Sequence, residues 1–326
     1  MIASVAFRNF KALRSTGLKL APFNLLVGPN GSGKTSLIQS LLRLRSLTKL
    51  PLAEAARPER KGGPEIAFRF SPPHEAIAAR MSCVSEFVCD FLQVTPAGAA
   101  GWPTLRDELQ HIRSYLLDHY AMAAPAPREQ GAALASNGGN LAAVLAHMEA
   151  NHRDAFTLVV AECVRIMPEF AGMELTSGQE VGLVLHLTDG GRVAAENLSQ
   201  GTLYLFAMLA LAFDPTPPAI LCIEEIDRGI HPRMLREVRD ALYRLSYPKS
   251  FGLTQRPVQI VATTHSPYLL DLFREHPEEV VLAHKQGTEA RFERLADRAD
   301  LAEMLREGSL GDMWFSGILG GVPDDQ

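Results

Sequence analysis

Short apolar runs alternate with amphipathic stretches along this chain. Ile2 to Phe7 is apolar-rich and predicts a strand, and Phe23-Asn-Leu-Leu-Val27 predicts a second that ends at a glycine-rich turn. Thr35 to Leu47 carries Leu37, Ile38, Leu41, Leu42 and Leu44 at helical spacing. Pro51, Pro58, Pro64, Pro72 and Pro73 mark a linker over 51–73, broken by one alternating strand from Glu65 to Phe70. Residues 75–170 differ in texture: Ala-rich segments at 76–92, 104–122, 140–150 and 153–167 read as helices between Gly/Pro/Ala loops at 95–103 and 123–139. Val181 to Leu187 alternates as a strand and meets Asp189-Gly190-Gly191, a hairpin signal before Arg192. A buried helix over 202–213, an all-apolar strand from Ala219 to Ile223, a helix near 232–246 and a strand from Val258 to Ala262 complete the pattern. Short apolar strands alternating with helices predict an α/β core with a mostly parallel sheet, built from residues 1–73 and 173–326, with a helical insertion at 74–172.

The length, 326 residues, fits about two structural units. With 47% hydrophobic and 21% charged residues, disordered and fibrous classes are excluded. A net charge of −5 is not the bulk signature of a nucleic-acid coat protein, although it leaves local patches open. Cys83, Cys89, Cys163 and Cys222 show no C-x-x-C spacing, which predicts free thiols in a reducing cytosol. The first ten residues lack a signal-peptide pattern, and the longest apolar stretch, Leu203 to Phe213, is about half a membrane span. The expectation is a soluble, cytoplasmic protein with no membrane partner.

The chemistry begins at Gly28-Pro29-Asn30-Gly31-Ser32-Gly33-Lys34-Thr35, followed by Ser36, a full match to G-x-x-x-x-G-K-[ST]. Glycines let successive N–H groups wrap phosphate oxygens, and the helix beginning near Lys34 adds its positive end. Lys34 would reach the β- and γ-phosphates and the Thr35 hydroxyl would hold Mg²⁺. A preceding apolar strand and a following periodic helix supply the context such a loop requires. No Asn-Lys-x-Asp motif for guanine is present, which favours ATP.

Three further stretches follow in order: Leu198-Ser199-Gln200-Gly201-Thr202 before the buried helix, Glu224-Glu225-Ile-Asp227 at the end of an apolar strand, and Thr264-His265-Ser-Pro267 just after the next. Taken singly, each also reads as a helix cap, an acidic loop or a satisfied histidine. Together with the phosphate loop, they make the chain resemble ABC-type ATPases of the SMC/RecF and overcoming-lysogenization-defect group. It is similar in particular to stand-alone bacterial AAA-type ATPases associated with anti-phage defence. The opening Phe7-Arg-Asn-Phe10-Lys, the Asn140-Leu-Ala-Ala-Val-Leu segment and the tail from Ser309 to Pro323 extend the likeness.

This resemblance implies an ATPase head whose Glu224 holds the Mg²⁺ shell, whose Glu225 polarises the attacking water, and whose His265 senses the γ-phosphate. Ser199 and Gly201 would belong to a signature loop that caps ATP on a second copy, and Asp227 to the loop crossing that seam, so hydrolysis implies a head-to-tail dimer. The implied role is control of a separately encoded effector, a nuclease or toxin, in anti-phage defence. The alternatives are a DNA-repair or recombination clamp, with DNA as partner, and the nucleotide-binding subunit of a transporter. The chain departs from the pattern at Glu224, where Asp is commoner, and at Leu-Ser-Gln-Gly-Thr in place of Leu-Ser-Gly-Gly-Gln. Gln93 is the one candidate for a Q-loop.

About 165 residues separate Lys34 from Ser199, too few for long coiled-coil arms, and fewer than about 65 follow His265, too few for an added nuclease domain. No nuclease activity of its own is expected. Arginines and lysines at 43–61 (Arg43, Arg45, Lys49, Arg57, Arg60, Lys61) and at 228–244 (Arg228, Arg233, Arg236, Arg239, Arg244) either track phosphates or form solvated faces. His147 and His152 read as surface residues, since no acidic or cysteine companions lie nearby in sequence. The terminal segment with Trp314, Phe315, Ile318 and Leu319 either packs on its own domain or docks a partner.

Overall fold

The computed structural model describes residues 1–50 and 62–320. The chain opens with β1 (Ile2–Phe10) and β2 (Leu13–Lys19), an antiparallel pair, then β3 (Phe23–Val27), whose residues are all buried. Helix α1 (Lys34–Thr48) starts at the glycine-rich turn and buries Leu37, Ile38, Leu41 and Leu44, as their spacing requires. Next come β4 (Glu65–Phe70), β5 (Ala78–Cys83), β6 (Cys89–Thr95), α2 (Trp102–Gln110) and β7 (Ile112–Tyr115). A mainly helical stretch follows, with α3 (His119–Ala123), β8 (Ala126–Pro127), α4 (Leu141–Asn151) and α5 (Arg153–Ile166). Short strands β9 (Phe170–Leu175), β10 (Glu180–Val181), β11 (Leu183–Leu187) and β12 (Arg192–Ala194) lead into α6 (Gln200–Ala212). The chain then alternates through β13 (Ile220–Ile223), α7 (Pro232–Ser246), β14 (Gln259–Thr264), α8 (Pro267–Asp271), β15 (Val280–Gln286) and β16 (Glu289–Arg294). Helices α9 (Leu301–Glu307) and α10 (Leu310–Phe315) close it.

By their contacts the residues fall into two units. The first takes Met1–Ser114, Pro218–Ile226 and the chain from Pro257 onward; the second takes Tyr115–Pro217 and Asp227–Arg256. The first unit holds a six-stranded sheet in the order β16-β15-β3-β14-β13-β7 and a five-stranded sheet in the order β2-β1-β4-β5-β6. Strands β15, β3, β14 and β13 run parallel, and β16 is an antiparallel edge. Parallel strands covered on both faces read as continuous apolar runs, and β3, β13 and β14 are buried at every position. Phe7, Phe10, Leu26, Leu41, Phe68 and Val261 share one core cluster, which joins α1 to both sheets. The expected α/β class with a mostly parallel sheet is the architecture found.

The second unit centres on α6, buried at every position after Gln200, with α5, α7 and α3 packed on it. A helix apolar on all sides needs such enclosure. A three-stranded sheet, β12-β11-β9, includes the hairpin signalled by Asp189-Gly190-Gly191. Among the described residues, no helix is long and apolar enough to cross a membrane.

Three expectations need correction. The segment 76–92, read as a helix from its alanines, is the β5–β6 hairpin. Ala79, Met81 and Leu92 enter the core cluster, so pairing on the edge of β4 and burial of one face override alanine's helical preference. The stretch 104–122 is α2, then β7, then α3, because the chain leaves the helix at His111 to extend the parallel sheet beyond β13. Finally, Cys83 and Cys89 are not free thiols: they face each other in the hairpin register and are joined by a disulfide. Cys163 and Cys222 are free and buried, and burial pushes both thiols up to about 12. The argument for a reducing cytosol from four free cysteines therefore loses its basis.

Candidate functional site

Loop 28–35 leaves the carboxyl end of β3, inside the parallel set, where open α/β sheets present ligand sites. It is pressed against the neighbouring strand: a Cβ on Gly28 would meet the Ala283 carbonyl oxygen at 2.3 Å, so no side chain fits there. Gly33 ends the loop at φ 92 and gives α1 no side-chain cap. Lys34 Nζ donates to the carbonyls of Gly28 at 2.7 Å and Pro29 at 2.9 Å. Burial lowers the Lys34 pKa to about 8, with the Glu225 carboxylate pulling the other way. The Pro29 carbonyl also accepts the Ser32 N–H at 3.3 Å, while Asn30 and Thr35 are exposed and Ser36 is half-buried. Ser32 Oγ is buried and has no hydrogen-bond partner among the described residues. A buried hydroxyl without a partner and an uncapped helix start suit an anion with many oxygens.

The end of β13 completes this arrangement. Thr35 Oγ1 donates to Glu224 Oε2 at 2.9 Å, joining residues far apart in sequence. A hydroxyl and a carboxylate side by side form an oxygen pair of the kind hard divalent cations take, so these residues fit Mg²⁺. Glu225 has φ 52, a left-handed backbone that side-chain-bearing residues seldom adopt. Thr263, buried near the end of β14, holds that turn: its Oγ1 accepts the Glu225 N–H at 2.9 Å and its carbonyl accepts the Ile226 N–H at 3.0 Å. His265 is exposed just past β14. The first unit thus gathers the phosphate loop, Glu224, Glu225 and the strand end before His265. Sequence reasoning missed Thr263, although a threonine inside an apolar strand, two places before a candidate histidine, was its signal.

Ser199, Gly201 and Asp227 belong to the second unit. Ser199 Oγ caps α6, accepting the Thr202 N–H at 3.2 Å, and pairs with Thr202 Oγ1 at 2.8 Å. A Cβ on Gly201 would meet the Gly229 carbonyl oxygen at 2.6 Å, so the start of α6 lies directly on the turn that follows Asp227. That turn is closed by Ile230 N–H donating to the Asp227 carbonyl at 3.1 Å.

The weaker signals divide. Arg43 donates to the Glu86 carbonyl and lies over the Phe10 ring, and Arg45 donates to the Ile112 carbonyl, so both are held within the first unit. Arg57, Arg60 and Lys61 lie outside the described residues. Arg239 and Arg244 stack on Tyr243, Phe213 and Phe251, whereas Arg233 and Arg236 are exposed. Gln93 is exposed on β6, an edge strand, and among the described residues its side chain makes no hydrogen bond to loop 28–35. His147 and His152 are half-buried neighbours with ring centroids 5.8 Å apart. In the terminal segment Trp314 and Leu319 are buried, but Phe315 is 82% and Ile318 56% exposed. Residues 321–323 of that segment lie outside the described residues.

Two family profiles match the sequence. Residues 1–75 match "AAA ATPase domain", and residues 164–271 match "AAA domain, putative AbiEii toxin, Type IV TA system". No curated protein matches the chain. Among solved structures, an SMC head bound to the C-terminal winged-helix domain of ScpA is similar with a TM-score of 0.58 at 14% identity, covering 90% of this chain and 96% of that one. The SMC head of Thermotoga maritima aligns with a TM-score of 0.51 at 12% identity over 90% and 98% of the two chains. An SMC head with an extended coiled coil, bound to the C-terminal domain of ScpA from Pyrococcus furiosus, gives 0.55 at 12% identity over 94% and 99%. The chain has the fold of SMC heads, and two of its segments match AAA ATPase families.

Proposed function

We propose that this ATPase head binds ATP with Mg²⁺ at loop 28–35, hydrolyses it with Glu225 as the base, and pairs head-to-tail with a second copy to control a separate effector in anti-phage defence. The observation that carries the chemistry is the 2.9 Å contact between Thr35 and Glu224, beside a lysine already seated in the phosphate loop. Phosphoryl transfer asks for positioning and charge neutralisation more than for covalent chemistry. Lys34 exchanges its two carbonyl partners for phosphate oxygens. Thr35 and Glu224 hold Mg²⁺, which when bound neutralises phosphate charge. Glu225 orients a water whose oxygen bonds to the γ-phosphorus as the bond to ADP breaks, and takes the proton that water loses. The strained turn, fixed by Thr263, sets that carboxylate. His265 reads the γ-phosphate.

In this reading Ser199, Gly201 and Asp227 act on nucleotide held by the second copy. Their support is the packing of the signature loop onto the 227–230 turn, which makes the two motifs one rigid piece. An effector would meet the surface of the packed helices α8 and α10 and the turn after them, where Tyr268, Phe315 and Ile318 are exposed. Two of the similar SMC heads are complexes with ScpA, which supports engagement of a partner chain. The match to a family described with a putative AbiEii toxin supports the defence setting. The DNA-clamp reading through Arg43 and Arg45 finds no support, since both guanidinium groups are engaged internally.

Glu225→Gln tests the mechanism. Its amide still binds water but accepts no proton, so turnover should fall by about a hundredfold or more while ATP affinity stays within about twofold. Light scattering should then show paired heads accumulating with ATP. Undiminished phosphate release from this variant would move the base elsewhere.

A further inference from the structure

We propose that Lys285 is a second cation of the nucleotide site and contacts the phosphate chain from the β15 side of the loop. The placement follows from the sheet. The parallel register sets Val280 beside Leu25, Val281 beside Leu26 and Leu282 beside Val27. It carries on past the end of β3, where Gly28 lies against the Ala283 carbonyl. Residues two apart on a strand share a face, so Lys285 follows Ala283 along the same edge of the loop. Its ammonium sits 3.4 Å from the point that a Cβ on Gly31 would occupy, with its Cδ and Cε at 3.8 Å. The aliphatic stem thus lies along the loop backbone and delivers the charge to its crest.

The state of this charge matters as much as its position. Lys34 places two of its three N–H groups on the Gly28 and Pro29 carbonyls, which it must give up to meet phosphate. Lys285 is exposed, and no described residue forms an ion pair or hydrogen bond with its ammonium. Because Gly31 has no side chain, the Lys285 stem has room to pass over the turn and keep its ammonium beside the loop. An ammonium a few ångströms from a polyphosphate, at the dielectric of a protein surface, contributes about tenfold in affinity after salt screening. The effect grows with the charge of the chain, so ATP gains more than ADP, and AMP gains little.

This inference rests on the phosphate-loop reading, and the test separates the two. Displacement of a fluorescent ATP analogue by ATP, ADP and AMP is measured for the full chain, Lys285→Gln and Lys285→Arg at physiological and at high salt. Lys285→Gln should weaken ATP about tenfold and ADP about threefold, leave AMP within error, and lose the difference from wild type at high salt. Lys285→Arg should recover most of the loss, which a merely structural lysine would not do in a ligand-dependent way. Equal ATP affinity in wild type and Lys285→Gln, or equal loss for all three nucleotides, would overturn the proposal while leaving the loop assignment intact. A wild-type chain that binds no ATP analogue would instead overturn the loop assignment itself.

Discussion

Two helices of this chain begin at glycine-containing motifs that look alike in sequence and differ in how their polar groups are met. At the start of α1, Gly33 supplies no cap, Ser32 Oγ is buried without a partner, and Lys34 rests on carbonyls of its own loop. At the start of α6, Ser199 caps Thr202 twice, through its N–H and its hydroxyl, and Gly201 is locked on the Gly229 carbonyl. The first motif is left polar and unsatisfied, so it gains from a ligand. The second is satisfied within itself, so it is a rigid surface that a ligand reaches ready-made. Under the proposed function, the helix start given the phosphate-binding task keeps its hydrogen bonds in reserve, whereas the one given the presenting task closes them.

Removing the charge from the first motif should have the largest effect. Lys34→Ala takes away the loop's own cation, and ATP affinity should fall by more than about a hundredfold in calorimetric titration. Unchanged affinity would erase the contrast, because the unsatisfied loop would then have no anion to await. A smaller effect is expected one layer behind. Thr263→Val deletes the hydroxyl that holds the Glu225 N–H, so kcat should drop about tenfold with ATP affinity nearly constant, and Thr263→Ser should restore it. A loss of affinity in place of kcat would mean that Thr263 supports binding and not the turn.

Proton linkage sharpens the comparison further. Lys34 has a pKa of about 8 in the folded chain against 10.5 unfolded, owing first to burial. Between those values the unfolded chain binds more protons, so the Lys34 contribution makes stability rise with pH across that window; below about 8 its penalty is complete and constant. Phosphate binding favours the charged form. ATP affinity should therefore be highest below about pH 8 and decline a few-fold above it, with proton uptake on binding at about pH 8.5 measurable in buffers of different ionisation heat. Affinity that is flat with pH would show that Lys34 is fully charged before the nucleotide arrives. The smallest effect belongs to the closed motif: Ser199→Ala should lower stability by about 1 kcal/mol in denaturant unfolding, with nucleotide affinity of the single head unchanged.

Much of this molecule was legible in its residues, for identifiable reasons. β3, β4 and α7 are found where the apolar pattern sets them, because a strand buried on both faces and an amphipathic helix each leave a periodic trace. The β5–β6 hairpin was not legible, since Ala79 and Met81 carry little periodicity and their conformation is dictated by pairing with β4. Its disulfide escaped for the same reason: Cys83 and Cys89 become neighbours only once the hairpin exists. In the candidate site, Lys34, Thr35 and Glu224 were proposed from motif spacing, and the structure brings Thr35 and Glu224 together. Thr263 and Lys285 did not, because their positions depend on strand order, which no local pattern records. For Ser199 the plainer reading as a helix cap is visible in the geometry.

The backbone of Glu225 carries a consequence for anyone who would improve this protein. Its φ of 52 suits glycine, and holding a side-chain-bearing residue there costs about 1 kcal/mol. A library ranked by heat resistance alone would not protect the glutamate at this position, and would discard the group assigned to hydrolysis without any sign of damage in the melting curve. Under the proposed function, thermal robustness and turnover therefore have to be selected together at residue 225, since the same carboxylate-bearing turn is a defect by one measure and the working part by the other.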